Sequence, residues 1–462
     1  MKRVSGNKVS ALVLAGLGLT ASAAMGASSI DTWNIYYGHL HNHTTVSDGS
    51  GSPSAAYSYA KNTAGLDFFS TADHAESTSS TEYQLIKDTA DQYNTPGVFT
   101  AFWGFEWSSS YGHVTVTGSD DICRSNESAT NTFEELVTWL NSRDVVAFFN
   151  HPGRESNAFG HYDGTVTGKF VGMELWNKTS DFDTYYYNDG FHSNDGGMGH
   201  YDEALLRGWK IGASGAEDNH GTTWGTWVPD KMAILATANT RSELFNAMQA
   251  RRFYSTEDKN LGLYFAMDGQ VMGSEIDGGS NSVVIEANDV NNETVTKVEL
   301  LKNGEVINTW YPNESNPYIT ATVSSAAGDY FYCRIKQQDG ERAVSSPVFI
   351  TSGSPVVTAP TVTNYAASNI TSSSATFNGA VTNTGGETPE VTIYWGDNDG
   401  GTNSSNWDYA DTLGYKSGSF SMNENTLLEN TTYYYRSYAV NAAGEDWANS
   451  TESFDTLVAG ST

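Results

Sequence analysis

The sequence has little cysteine and little positive charge, and it lacks long apolar runs. Two cysteines in 462 residues, Cys123 and Cys333, exclude a disulfide framework. Whether those two pair is not readable from sequence. Lysine and arginine total 24 against 54 acidic residues, a net charge of −30. So acidic a chain repels polyanions at long range, which excludes nonspecific nucleic-acid binding, although a local cationic metal site would still attract a phosphate. An acidic surface also suits solubility in salt. No stretch is long enough to read as a transmembrane helix. The apolar run 11–21 is short, follows Lys2, Arg3 and Lys8, and ends at Ala21-Ser22-Ala23, with Ala27 as an alternative end. That is the pattern of a secretory signal over residues 1–27. A soluble, exported protein is expected, secreted or periplasmic.

Hydrophobic residues at 38% and aromatics at 13% are enough for folded domains rather than disorder. The length suits two or three of them. Abundant Gly, Ser, Thr, Asn and Tyr suit β-rich structure with many turns.

Residues 38–49 read Gly-His-Leu-His-Asn-His-Thr-Thr-Val-Ser-Asp-Gly. Imidazoles this close together have few uses other than holding a transition metal. If His39, His41 and His43 end a strand, alternation puts all three on one face. From Trp33 to about Thr256, short apolar runs alternate with helical stretches, which predicts α/β structure with a largely parallel sheet. The runs are 33–40, 66–71, 98–105, 113–117, 145–150, 170–176 and 209–213. Pro53 after Ser52 marks a helix start, and Thr132 with Glu135 and Thr240 with Glu243 form capping-box patterns. Gly208 marks a stop. Seven such runs could close into a barrel, whose active sites lie at the carboxyl ends of strands. Those ends carry His41, His43 and Asp48, then Asp73-His74, Glu106, His113, Asn150-His151 and Asp218-Asn219-His220.

His-x-His with Ser-Asp-Gly, then Asp-His, Gly-x-Glu, His-Pro-Gly and Asp-x-His, in that order, resembles the polymerase and histidinol phosphatase (PHP) family. The resemblance covers residues 33–256. It implies a distorted (β/α)7 barrel holding two or three divalent metal ions, with phosphoester hydrolysis the usual activity. It implies that His41, His43, Glu106 and Asp218 hold one ion and that Asp48, His74 and His220 hold a second. Glu106 would bridge to a third with His113 and His151. His39 stands where many relatives carry an acid, which leaves its role open.

The ligand set mixes imidazole with carboxylate and suits Zn, Mn or Fe better than Mg or Ca. A bridging carboxylate lets two ions sit about 3.5–4 Å apart, and coordination lowers the pKa of water from 15.7 to about 7. The expected nucleophile is therefore a metal-bridging hydroxide. Arg154 directly follows His-Pro-Gly and is a candidate phosphate clamp, against an ordinary loop role. Asp73 is expected to orient an imidazole from behind. Glu174 either faces the pocket or is structural. His161, His192 and His200 lie in polar loops, and the long 177–199 segment reads as a lid or substrate wall.

From about Leu261 the pattern is β throughout. Asn303-Gly304 marks a hairpin turn inside an immunoglobulin-like series of strands. Arg334 to Gly340 followed by Ser345-Ser346-Pro347 is similar to the β domain attached to secreted PHP hydrolases, including relatives of the carbamate hydrolases. A Gly/Ser/Pro linker follows, and the rest resembles a fibronectin type III module, with Leu428 to Tyr433 and Tyr435-Arg436 similar to its tyrosine-corner strand. Asp397 to Gly400 reads as a hairpin loop rather than a Ca²⁺ loop. The expected division is a signal peptide at 1–27, a PHP barrel at 28–260, an immunoglobulin-like domain at 261–352, a linker at 353–361 and a fibronectin III-like domain at 362–462.

These readings predict an exported metal-dependent phosphoesterase acting on a small-molecule ester. One alternative is a carboxyl-ester, amide or carbamate hydrolase using the same centre. Another is a non-catalytic surface-binding protein with a structural metal site. The last module is a candidate for surface or polysaccharide attachment.

Overall fold

The computed structural model describes residues 30–152, 154, 166–177, 199–353 and 357–460. The signal segment 1–27, His161, His192 and most of the lid segment 177–199 lie outside the described residues. The protein is multidomain and predominantly β. Among the described residues no helix is long and apolar enough to cross a membrane.

Ten strands build the first unit. They are β1 (Asn34–His39), β2 (Phe68–Phe69), β3 (Thr100–Ala101), β4 (Gly104–Ser109), β5 (Gly112–Thr117), β6 (Val146–Asn150), β7 (Phe170–Asn177), β8 (Gly212–Ala216), β9 (Lys231–Ala236) and β10 (Phe253–Thr256). Among the described residues, five α-helices accompany them: α1 (Pro53–Tyr59), α2 (Ser80–Tyr93), α3 (Phe133–Asn141), α4 (His200–Leu206) and α5 (Arg241–Gln249). Local chemistry sets their ends. The Ser52 side chain accepts from the Ala55 amide ahead of Pro53. Thr132 and Glu135 form a reciprocal capping box, and so do Ser79 and Glu82. Thr240 caps α5, but the Glu243 carboxylate turns to the Thr237 hydroxyl. Gly208, at φ +92°, follows α4.

The strands form two hydrogen-bonded sheets, not the closed, largely parallel (β/α)7 barrel that the sequence predicts. One runs β3-β2-β1-β9-β10 and the other β4-β5-β6-β7-β8. The β4–β5 connection has only two residues, which forces an antiparallel hairpin where a crossover was expected. Neither β9 nor β10 is among the predicted runs; β9 pairs antiparallel with β1, and β10 pairs antiparallel with β9. Between β2 and β4 the ladder thins to one bridge, His74 to Glu106. At the opposite seam β8 packs against its neighbours: a Cβ on Gly215 would come within 2.7 Å of the Lys231 carbonyl. Phe68, Phe148, Met232, Ile234 and Phe253, from both sheets, share one buried cluster between them. Burying one such side chain contributes about 1.5–3 kcal/mol.

The first sheet does not stop where the barrel was expected to end. β10 pairs antiparallel with Arg342–Ser345, so one 11-stranded sheet runs from the first unit into the β-rich segment beyond residue 261. The cores merge as well: Tyr330, Tyr332 and Phe349 belong to the cluster around Trp209 and Phe149. Asn303 and Gly304, at φ +54° and +83°, form the predicted hairpin turn. Beyond the linker, a three-stranded and a five-stranded sheet enclose a separate core around Phe377 and Tyr435. There the Tyr433 hydroxyl accepts from the Leu428 amide. Cys123 and Cys333 are both free and buried.

Candidate metal centre

The site lies where strand ends of the two sheets meet. β1 ends at His39, and the following extended residues carry His41 and His43 inward. Both rings are buried, with their Nε2 atoms 3.2 Å apart. His39 is also buried, but neither ring nitrogen has a hydrogen-bond partner. Burial, then Lys231, then His41 hold its pKa well below the usual value, so it stays neutral. It does not join its two neighbours in the cluster of carboxylates.

Glu106, on β4, is the centre of that cluster. Its Oε1 lies 3.2 Å from His41 Nε2, 3.1 Å from His113 Nδ1 and 3.2 Å from His151 Nε2. Its Oε2 lies 2.9 Å from His74 Nδ1 and 3.4 Å from His43 Nε2. Five imidazoles from four stretches of the chain thus face one buried carboxylate. Asp218 Oδ1 stands 3.1 Å from His43 Nε2 and 3.4 Å from both His41 Nε2 and His220 Nδ1. His220 stacks on His43 at 4.0 Å. Asp48, more than half exposed, closes the outer side 3.4 Å from His43, 3.6 Å from His74 and 3.3 Å from His220.

All nine sequence-predicted ligands meet here. Potential ligand atoms lie within 4.8 Å of one another in four groups: His43/Asp48/His74/His220, His41/His43/Glu106, His41/His151/Asp218 and His74/Glu106/His113. His43 reaches both the Asp48 side and the Glu106 side, while His151 groups with Asp218 as well as with Glu106. His151 and Asp218 both have left-handed backbones, at φ +25° and +43°. Non-glycine residues seldom adopt that conformation, which places their side chains where an ordinary strand end would not.

Titration follows the geometry. Burial acts most strongly on His41 and favours the neutral ring, but Glu106, Glu174 and Asp218 outweigh it and hold the ring well above the usual value. His43 is likewise pushed up to about 9, with Asp218 and Asp48 overcoming burial. Glu106 and Asp218 are held well below the carboxylate range by the imidazoles, against burial. Without metal, the site therefore holds protons where cations would sit, and the mixed nitrogen and oxygen donors fit Zn, Mn or Fe.

The supporting shell is partly a surprise. Glu174 faces the site: its Oε1 lies 2.8 Å from His41 Nδ1 and its Oε2 accepts from the His151 amide at 2.8 Å. Asn150 donates to Glu106 at 2.8 Å while its Oδ1 accepts from the Thr115 amide. Ser108 lies 2.6 Å from His74 Nδ1. Strand alternation from Glu106 would have found Ser108; Asn150 carried no signal beyond standing next to His151. Asp73 does not orient an imidazole. Its carboxylate takes the Thr44 amide at 2.7 Å and the Ser47 hydroxyl at 2.8 Å, fixing the turn that presents Asp48. Arg154 is exposed, and its amide donates to the His151 carbonyl at 2.9 Å, which turns the chain back beside the site.

Residues 55–145 match a family described as a protein of unknown function, DUF3604. An uncharacterized protein of Chlamydia pneumoniae is 22% identical over 360 residues, covering 69% of this chain and 57% of that protein. Another, from Chlamydia muridarum, is 24% identical over 140 residues, 26% of this chain and 22% of that one. The chain thus spans little more than half the length of the first relative and less of the second. Among solved structures, a two-domain protein containing a predicted PHP-like metal-dependent phosphoesterase, from Bacteroides vulgatus, is 15% identical. It covers 72% of this chain and 97% of its own, with a TM-score of 0.40. The sensor domain of the anti-sigma factor RsgI4 of Pseudobacteroides cellulosolvens is 22% identical over 22% of this chain and 97% of its own, with a TM-score of 0.17.

Proposed function

We propose that this protein is an exported metal-dependent hydrolase and that its first substrate class is a small phosphate ester. The observation that carries the reading is the convergence of five imidazoles on Glu106, with Asp218 and Asp48 completing the donor set. Structural sites rarely need nine ligands, whereas two or three adjacent catalytic ions do.

In this reading His41, His43, Glu106 and Asp218 hold one ion, Asp48, His74 and His220 a second, and His113 and His151 share Glu106 for a third. The ions would be Zn, Mn or Fe. When bound they supply Lewis acidity and lower the pKa of water, the usual source of a nucleophile at neutral pH in such centres. The chain's own residues do the rest. Glu174 fixes the His41 ring, Ser108 fixes His74, and Asn150 holds one oxygen of Glu106. Asp48 sits on the exposed side, where substrate would enter. Arg154, three residues beyond His151, is in this reading the candidate to clamp an anionic oxygen.

One observation favours a second reading, hydrolysis of a carboxylic ester, amide or carbamate at the same centre. Phosphate recognition needs cations, and Lys231, which lies close enough to depress His39, spends its ammonium on the carbonyls of Val228, Pro229 and Asp230. The chain beyond residue 362, read as a fibronectin III-like module, serves attachment in either case.

Metal analysis paired with turnover of p-nitrophenyl phosphate, its diester and p-nitrophenyl acetate tests both readings. Two or three ions with phosphate turnover sustain the first, and acetate turnover alone moves the assignment to the second. Metal without turnover leaves a binding protein, and no metal after reconstitution sinks the hydrolase.

A further inference from the structure

A second group of acidic side chains contains no imidazole and lies at the seam where the first unit's sheet continues into the β-rich segment. Asp258 follows β10, Asp289 ends the strand Gly279–Asp289, and Glu293 lies in the turn after it. One carboxylate oxygen from each lies within 4.8 Å of the other two. Asp258 and Asp289 are buried, at 6% and 2% exposure, yet among the described residues neither they nor Glu293 form an ion pair. Two buried, unneutralised carboxylates side by side are costly. Asp339 and Glu341 add further negative charge nearby, while Glu257 is paired with Arg342.

A separate feature points to a ligand. Gln337 ends the strand Tyr330–Gln337 and is 1% exposed. Its Nε2 reaches Asp258 Oδ2 at 3.2 Å and Asp289 Oδ2 at 3.1 Å, so the amide is aimed into the group. Its Oε1, on that same amide, is buried with no hydrogen-bond partner. A turn of the amide about its last bond would present that oxygen to the carboxylates, which is favourable only with a cation between them.

We propose that Asp258, Asp289, Glu293 and Gln337 form a Ca²⁺ site that ties the first unit to the β-rich segment behind it. The donors are all oxygen, which suits a hard cation. Ca²⁺–oxygen distances of about 2.3–2.6 Å put oxygens on opposite sides of the ion about 4.6–5.2 Å apart, and the observed spread fits within that. Glu293 is only half-buried, leaving room for water to complete six to eight ligands. Donors that come from two separate stretches of the β-rich segment, 289–293 and Gln337, and from the exit of β10 make the ion a clamp. The site is independent of the hydrolase reading.

The test is thermal melting and calorimetric titration of the full chain after chelator treatment, with CaCl2 or MgCl2 as the probe. Ca²⁺ should bind at one site with Kd in the range of about 10⁻⁴–10⁻³ M that extracellular modules show. At saturating concentration it should raise Tm by about 5–10 °C, with a smaller effect of Mg²⁺. Asp289→Asn should abolish the Ca²⁺ shift while raising Tm in its absence, because it removes one of two repelling charges. Glu293→Gln, at a half-buried position, should weaken Ca²⁺ binding at least tenfold. Asp218→Asn, in the other centre, should leave the shift intact. No binding, or a shift that survives Asp289→Asn and Glu293→Gln but disappears in Asp218→Asn, overturns the proposal.

Discussion

Glu174 touches His41 and nothing exposed: its Oε1 sits 2.8 Å from His41 Nδ1 while its Oε2 accepts the His151 amide. One buried carboxylate therefore sets the ring of one candidate ligand and the strained backbone of another. Partners of this kind are worth about 10–100-fold in metal affinity. Glu174→Gln keeps the size and one acceptor but removes the charge. We expect metal affinity, read by chelator competition, to fall by about that factor, and Tm of the metal-free protein to fall as well, because the buried His41–Glu174 ion pair is lost. Unaltered affinity would make Glu174 a packing residue.

Asp218 has a different role, since its carboxylate faces His41, His43 and His220 together. Asp218→Ala should remove at least one ion per chain and lower turnover more than about 100-fold, while the strands beyond residue 261 stay folded. Elemental analysis and circular dichroism on the same sample check both halves. Full metal content with full activity would show that Asp218 is not a ligand.

The candidate ligands were legible in the sequence because strand ends are where imidazole and carboxylate have no packing reason to accumulate. His41, His151 and Asp218 stand just past such ends, His74 follows β2, and Glu106 lies near the start of β4. Their partners were not legible. Asp73 neighbours His74 in sequence, yet its bonds go to Thr44 and Ser47, because the backbone turn there needed an acceptor more than the ring did. The parallel barrel failed for a local reason, the two-residue β4–β5 link. It failed also for a distant one: Lys231–Ala236 and Phe253–Thr256 are short, the first pairs antiparallel with β1 across a long sequence gap, and the second pairs with the first.

The last module offers a stability test separate from the metal. Phe377 is fully buried and stacks on Tyr435 at 4.7 Å, with Trp395 and Phe454 also in ring contact. Phe377→Ala should cost about 3–5 kcal/mol. That is enough to lower the melting of a domain this size by more than about 10 °C. Turnover of a small ester should be unaffected, as it should be on removing residues 355–462. A large loss of kcat in either protein would mean that the module contributes to the site.

The charged pairs of the first centre also dictate how the metal-free protein responds to pH. His43 rises from about 6.5 when unfolded to about 9 when folded, because Asp218 and Asp48 outweigh burial. A raised histidine stabilises the fold fully below its unfolded pKa, and the contribution disappears as pH climbs through about 9. Glu106 and Asp218 are depressed, so their contribution is present above the ordinary carboxylate range and lost as pH falls through their lowered values. The metal-free protein should therefore be most stable between these limits, and its urea midpoint should drop between about pH 6 and about pH 9.5. Bound metal replaces those protons, so loading should flatten the drop, and metal affinity should rise with pH up to about 9. An unchanged midpoint in the chelator-treated protein would show that His43 and Asp218 are not an ion pair without metal.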